Sequence, residues 1–131
     1  MSHETIMTDL MSDFNTKWAG FTPVEWPNTP FLAGSEEEYV RFGIIFFDTE
    51  NAVVGTARQK YSGNVIITAF AEINKGSAQA FSLAQKAIDF MQNLSLNAIF
   101  TYAGTTVVVG PDPENSNLYV VNAKIPFESV N

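Results

Sequence analysis

The sequence contains no cysteine, and this absence removes several kinds of site. Disulfide scaffolds, thiolate zinc sites, iron–sulfur clusters and cysteine nucleophiles are all excluded. There is a single histidine, so multi-histidine metal centres are excluded as well. A serine or threonine nucleophile would have to use this one imidazole, His3, as its base. Because His3 lies at the start of the first predicted helix, we interpret it as an exposed or cap-region residue.

Basic residues are scarce. Seven Lys and Arg stand against fourteen Asp and Glu, which gives a formal net charge of −7. Neutralising phosphates requires clustered Lys and Arg, so this balance argues against a general nucleic-acid binder. Arg58, Lys60 and Tyr61 form the one local basic and aromatic cluster, which we interpret as ordinary strand residues. No phosphate-binding loop and no nucleophile elbow is found.

Long hydrophobic runs are also missing. The longest are Gly43–Phe47 and Val65–Ala71, whereas a membrane helix needs about 20 apolar residues. The first residues lack the basic region and apolar stretch of a signal peptide. The sequence therefore predicts a protein without a membrane partner that is assembled in a cytoplasm.

The residues that are present predict a core and two helices. With 131 residues and 46% hydrophobic residues, we expect one domain over residues 1–131. Apolar residues at helical spacing predict a helix over 2–18, with Ser2 as its N-cap and Gly20 ending it. An alanine-rich stripe predicts a second helix over 75–94 that approaches a sheet closely.

The remaining apolar segments predict strands. The segments predicted as strands are 39–47, 58–73, 98–102, 105–109 and 118–127, with a short edge strand at 24–26. Gly63 is a possible β-bulge. Sequential strands joined by hairpins predict an α+β fold in the order α-β-β-α-β-β, with a mainly antiparallel sheet of about five strands and two helices.

Three predicted strand segments are apolar on both faces: 39–47, 105–109 and 118–121. Two helices that cover one face of such a sheet leave apolar surface for a subunit interface. The alternative is one helix on each face, which gives a closed monomer.

Carboxylates are the remaining candidates for chemistry. Asp112, Glu114, Asn115 and Asn117 offer oxygen ligands for Ca²⁺ or Mg²⁺, but the segment lacks the glycine and the bidentate glutamate of a calcium loop. Asp48 and Glu50 form a similarly weak pair. We interpret both segments as turns, and we expect no catalytic residue, no metal and no cofactor.

Four features in order resemble the bacteriophage tail terminator-like family, the tail completion proteins of long-tailed phages. The first is the N-terminal amphipathic helix that ends near Trp18. The second is the segment 26–31, Trp-Pro-Asn-Thr-Pro-Phe, and the third is the strand start 39–42, Tyr-Val-Arg-Phe. The fourth combines the strand 63–70, the helix 78–90 and the closing Ile125-Pro126-Phe127.

The resemblance implies a structural virion protein of the phage tail. Members of the family are small α+β proteins that assemble as a hexameric ring, stop polymerisation of the tail tube and offer a docking surface for the head connector. The partners expected from it are further copies of the chain, the tail tube protein and the head–tail connector protein. DNA is expected to pass through the acidic ring without specific binding.

The family defines no interface motif, so the candidate interface residues follow from loop position alone. They are Glu36, Glu37, Glu38, Arg41, Asp48, Glu50, Arg58, Lys60, Asp112 and Glu114. Arg41 is expected either to pair with an acid of a neighbouring subunit or to be a solvated strand residue. Two other functions stay open: another phage neck or head–tail joining subunit, and a monomeric α+β domain that binds a small molecule.

Overall fold

The computed structural model describes residues 2–27, 38–47, 50–51, 59–73, 77–113 and 117–130. The helices are α1 (His3–Trp18) and α2 (Ser77–Met91). The strands are β1 (Val24–Glu25), β2 (Glu38–Phe46), β3 (Glu50–Asn51), β4 (Gln59–Glu72), β5 (Ser95–Leu96), β6 (Ile99–Thr101), β7 (Thr105–Pro111) and β8 (Leu118–Val130).

Helix α1 begins and ends as its sequence predicts. Ser2 is the N-cap, and its Oγ accepts a hydrogen bond of 3.2 Å from the backbone N–H of Thr5. At the other end Ala19 adopts a left-handed conformation, and its N–H donates to the Asn15 carbonyl at 3.0 Å. Gly20 follows with a positive φ of 73°, which a glycine adopts without strain.

The strands form one mixed, mainly antiparallel sheet. The order across it is β1-β2-β4-β8-β6-β5, with β3 beside β4 and β7 beside β8. β1 runs parallel to β2, and the other pairs are antiparallel. The α+β class and the antiparallel character are confirmed, as is the short strand predicted at 24–26.

The predicted strand count and element order are too simple. The described residues contain eight strands instead of about five, because β3, β5 and other short pairings add to the long strands. Two- or three-residue strands carry too little periodicity to be read from a sequence. The strands long enough to show a pattern, β2, β4, β7 and β8, do follow the predicted order around the two helices.

Both helices pack on the same face of the sheet. Buried side chains of α1 and α2 belong to one core together with alternate residues of β2, β4 and β8. For example, the ring of Phe14 lies 5.5 Å from that of Phe42, and Trp18 lies 6.2 Å from Phe90 of α2. Fully burying one large apolar side chain contributes about 1.5–3 kcal/mol. Because both helices share one core with the same side of the sheet, the alternative of one helix on each face is wrong.

Gly63 is not a bulge. The pairing of β4 with β2 and with β8 passes through Gly63 without a shift of register. A Cβ at this position would lie 2.1 Å from the carbonyl oxygen of Ile45, on the neighbouring strand. The glycine is needed because the two backbones approach closely there.

Candidate assembly surface

The side of the sheet opposite the helices is called the open face below. Side chains alternate along a strand, so the residues between those of the core point to this side. The open face comprises Tyr39, Arg41, Gly43, Ile45, Asn64, Ile66, Thr68, Phe70, Val107, Val120, Asn122, Lys124, Pro126 and Glu128. No described helix covers it.

One end of the open face carries a small second cluster. Tyr39, Phe70, Leu118 and Val120 are buried there, and the Tyr39 and Phe70 rings stack at 4.4 Å with 9° between their planes. The Arg41 guanidinium lies 5.0 Å from the centre of the Phe70 ring, in reach of a cation–π interaction. At this end of the face the described residues therefore pack against one another without a described helix above them.

A groove of about 240 Å³ lies beside this cluster. Arg41, Phe70 and Asn122 form its floor, and Val109, Asp112 and Pro113 border it. Arg41 Nε donates to the Glu25 carboxylate on β1, so its charge is neutralised within the chain. Asn122 Oδ1 is buried without a hydrogen-bond partner in the described structure.

The opposite end of the open face combines an ionic network with exposed apolar side chains. Tyr102 donates its hydroxyl hydrogen to the Glu128 carboxylate, and Lys60 Nζ lies 3.2 Å from Glu128 Oε2. The hydrogen bond from Tyr102, followed by that from Lys60, lowers the pKa of Glu128, because both stabilise the charged carboxylate. The same bond raises the pKa of the Tyr102 hydroxyl, because it is donated to an anion. Nearby, Ile45 and Phe47 are 53% and 52% exposed.

Strand β7 is exposed on both faces. Val107, Val108 and Val109 are 47%, 52% and 48% exposed, although they form the centre of a strand. The sequence predicts a strand that is apolar on both sides here, but it does not predict the position of this strand at the edge of the sheet. Three consecutive valines, which place apolar side chains on both sides of a strand, were the sequence feature that pointed to this exposed surface.

The structure brings only some of the predicted interface residues together. Arg41 and Asp112 line one groove. Lys60 lies at the far end of the same face, beside Glu128. Glu38 lies on the helix side, where its carboxylate accepts a bond of 3.1 Å from Gln79 Nε2.

Five of the predicted positions lie outside the described residues: Glu36, Glu37, Asp48, Arg58 and Glu114. The backbone of Glu50 pairs with Lys60 in the β3–β4 ladder. Glu25, Glu128 and Tyr102 were missed, since their roles arise from pairing across strands distant in sequence.

The described parts of the chain hold no group of three His, Asp or Glu side chains that could bind a metal ion. His3 is exposed and packs its ring 4.3 Å from that of Phe46 and 5.2 Å from that of Tyr61. It therefore contacts aromatic rings of the sheet. Neither described helix is long and apolar enough to cross a membrane.

The protein thus has two helices on one face of a sheet and exposed apolar side chains on the other face. Over residues 5–126 the chain matches the family described as phage tail terminator protein. The chain belongs to this family and is thus a structural protein of a phage tail. The resemblance drawn from the sequence motifs is confirmed.

Solved structures share the fold, among them the following two. One, known by a sequence identifier alone, is 19% identical with a TM-score of 0.70, and the match covers 98% of this chain and 96% of that chain. The other is a chain from the virion of the native gene transfer agent (GTA) particle. It is 11% identical with a TM-score of 0.60, and the match covers 95% of this chain and 94% of that chain. No curated protein matches the chain.

Proposed function

We propose that this protein caps the phage tail tube as a ring of identical subunits, six in number, and so ends polymerisation of the tube. The family assignment supports a role in the tail. The exposed apolar side chains of β2 and β7 are the observation that carries the ring, because apolar patches of this kind mark interfaces. The finished ring also presents the surface to which the head–tail connector protein binds.

The interface residues predicted from the sequence belong to this proposal. Glu38, Arg41, Lys60 and Asp112 lie on or beside the ends of the sheet. Together with the loop residues Glu36, Glu37, Asp48, Glu50, Arg58 and Glu114, they are proposed to contact neighbouring subunits, the tube or the connector. The protein acts in the virion tail after assembly in the host cytoplasm.

We also propose that DNA passes through the ring without specific binding. Arg41 is paired with Glu25, and Lys60 is paired with Glu128. Among the cations of the open face, Lys124 is the one that has no ionic partner in the described residues. A surface with few unpaired cations gives little attraction for phosphates.

Deleting the gene in its phage tests the function. Tails of uncontrolled length, seen by electron microscopy, are the expected result. Supplying the intact gene in trans should restore a single length. Tails of normal length that fail to join heads would contradict the terminator proposal and indicate a joining subunit. A mutant phage with normal tails and normal yield would contradict both.

A further inference from the structure

The sheet has two edges that differ in their partners. At one edge, β7 pairs with β8 through Thr105–Pro111 and has no second strand partner in the described ranges. At the other edge, β1 pairs with β2 at Val40 and Arg41. Beyond Arg41, the outer side of β2 over 42–46 is paired with no described strand.

The β7 edge lacks the features that keep edge strands apart. Residues 105–108 include no charged residue and no proline, which are the usual protection against pairing with another chain. The shift in register between Val108 and Gly110 and the positive φ of Gly110, 95°, lie at the far end of the strand. The first four residues therefore form a regular edge with exposed valines.

The β2 edge complements it in length and character. The free part, 42–46, is five residues long, and at about 3.3 Å per residue it spans about the same distance as 105–108. Ile45 lies on the open face near this edge, as Val107 does near the other, and both are exposed. Each edge thus presents apolar side chains on the same side of the sheet.

We infer that β7 of one subunit pairs with residues 42–46 of β2 in a second copy of the same chain, which continues the sheet from subunit to subunit. The inference rests on the proposed ring. Pairing of β7 with a second β7 is self-complementary and closes a two-fold dimer. A ring requires two different edges, and this sheet provides them at opposite ends.

The topology also fixes the direction of the pairing. β7 is antiparallel to β8, which is antiparallel to β4, which is antiparallel to β2. β7 therefore runs opposite to β2 within one subunit. A ring rotation turns all strands of a subunit together, so β7 meets the neighbour's β2 in antiparallel orientation where the sheet continues between subunits.

Engineered cysteines test the contact directly, because the chain has no native thiol. In the double variant Val107→Cys with Ile45→Cys, the two positions of one chain are separated by three strand spacings, about 14 Å. A disulfide needs Cα atoms closer than about 7 Å, so it can form only between copies. Oxidation of purified phage particles that carry the variant should give a ladder of linked chains, read by immunoblot on non-reducing gels.

The matched control is Val107→Cys with Ser82→Cys, since Ser82 is exposed on α2, on the other side of the sheet. It should give no ladder above the level of random collision. Three results would overturn the inference: a ladder no stronger than the control, efficient linkage of Val107→Cys alone, or linkage to a different virion protein. Absence of the intact chain from particles would instead contradict the proposed function.

A charge on the edge gives an independent test. Val108→Lys changes a side chain that is half exposed, so the unfolding midpoint of the purified subunit should stay close to the parent value. The variant should fail to restore tail length in the deletion phage. The matched change Gln85→Lys on the outer surface of α2 should restore it. A Val108→Lys variant that restores normal tails would overturn the inference.

Discussion

At the scale of single residues, the absence of one side chain sets the distance between strands. A Cβ on Gly63 would contact the carbonyl of Ile45 and the ring of Phe127, both fixed by neighbouring strands. The backbone oxygen cannot move without breaking the β2–β4 ladder. Gly43, in contrast, has its nearest neighbour at 3.8 Å, an ordinary van der Waals contact.

We therefore expect Gly63→Ala to destabilise the subunit by about 1–3 kcal/mol, as overpacking does in well-packed sites. Gly43→Ala is the matched control and should be neutral or stabilising by about 0.5 kcal/mol, because alanine restricts the unfolded chain. Denaturant unfolding followed by circular dichroism measures both. Equal effects at the two positions would contradict the close approach at Gly63.

The carboxyl group of Glu128 gives a second prediction at this scale. Its pKa is lowered by the bond from Tyr102 and by Lys60, so its contribution to stability is present above the ordinary carboxyl pKa and is lost as pH falls through the lowered value. Tyr102→Phe and Lys60→Met should each move the Glu128 pKa upward. NMR titration of the side-chain carboxyl carbon measures both shifts. An unchanged Glu128 pKa in Tyr102→Phe would contradict the network.

At the scale of elements, Thr101 connects the end of α2 to the sheet. This buried residue of β6 donates from Oγ1 to the Met91 carbonyl at 2.6 Å and accepts from the Leu94 N–H at 2.8 Å. The last turn of α2 thereby gains partners for groups that a helix end leaves unsatisfied.

Replacing Thr101 by valine keeps the shape and removes both hydrogen bonds. We expect a loss of at least about 2 kcal/mol in the free energy of unfolding, since two polar groups lose their partner and each one left unsatisfied costs about 1–3 kcal/mol. Thr8→Val, at an exposed position of α1, is the control and should change stability by less than about 0.5 kcal/mol. Comparable losses in the two variants would show that the bonds of Thr101 contribute nothing specific.

Helices and strands that are long enough to show a hydrophobic period could be predicted from the sequence, and shorter strands could not. Ile6, Leu10, Phe14 and Trp18 predicted α1 and its buried face, and all four are buried. The pairing β5–β6 spans two residues on each strand, too few to show alternation. The surface was harder to predict because it depends on pairing between distant segments. Arg41 and Glu25, for example, form an ion pair because β1 pairs with β2.

At the scale of the whole molecule, acidic side chains are found on the helices as well as on the open face. Glu4, Asp9 and Asp89 lie on the helices, whereas the cations Arg41 and Lys60 of the open face are paired with acids. DNA binding to the open face can therefore be weak even if the unpaired acidic side chains lie on another surface. Neutralisation of Arg41 and Lys60 within the chain, which leaves Lys124 as the unpaired cation of the described open face, has the same effect.

This gives a prediction about DNA. Glu25→Gln with Glu128→Gln releases Arg41 and Lys60, and the purified protein should then bind duplex DNA more tightly than the parent. The slope of log binding constant against log salt concentration should steepen by about two units, since each phosphate contact adds about 0.9. The control Glu4→Gln with Asp89→Asn changes the net charge equally on the helices and should change the slope less. Fluorescence anisotropy over a salt series measures both, and equal slopes in the two variants would show that net charge alone, and not pairing on the open face, keeps DNA from binding.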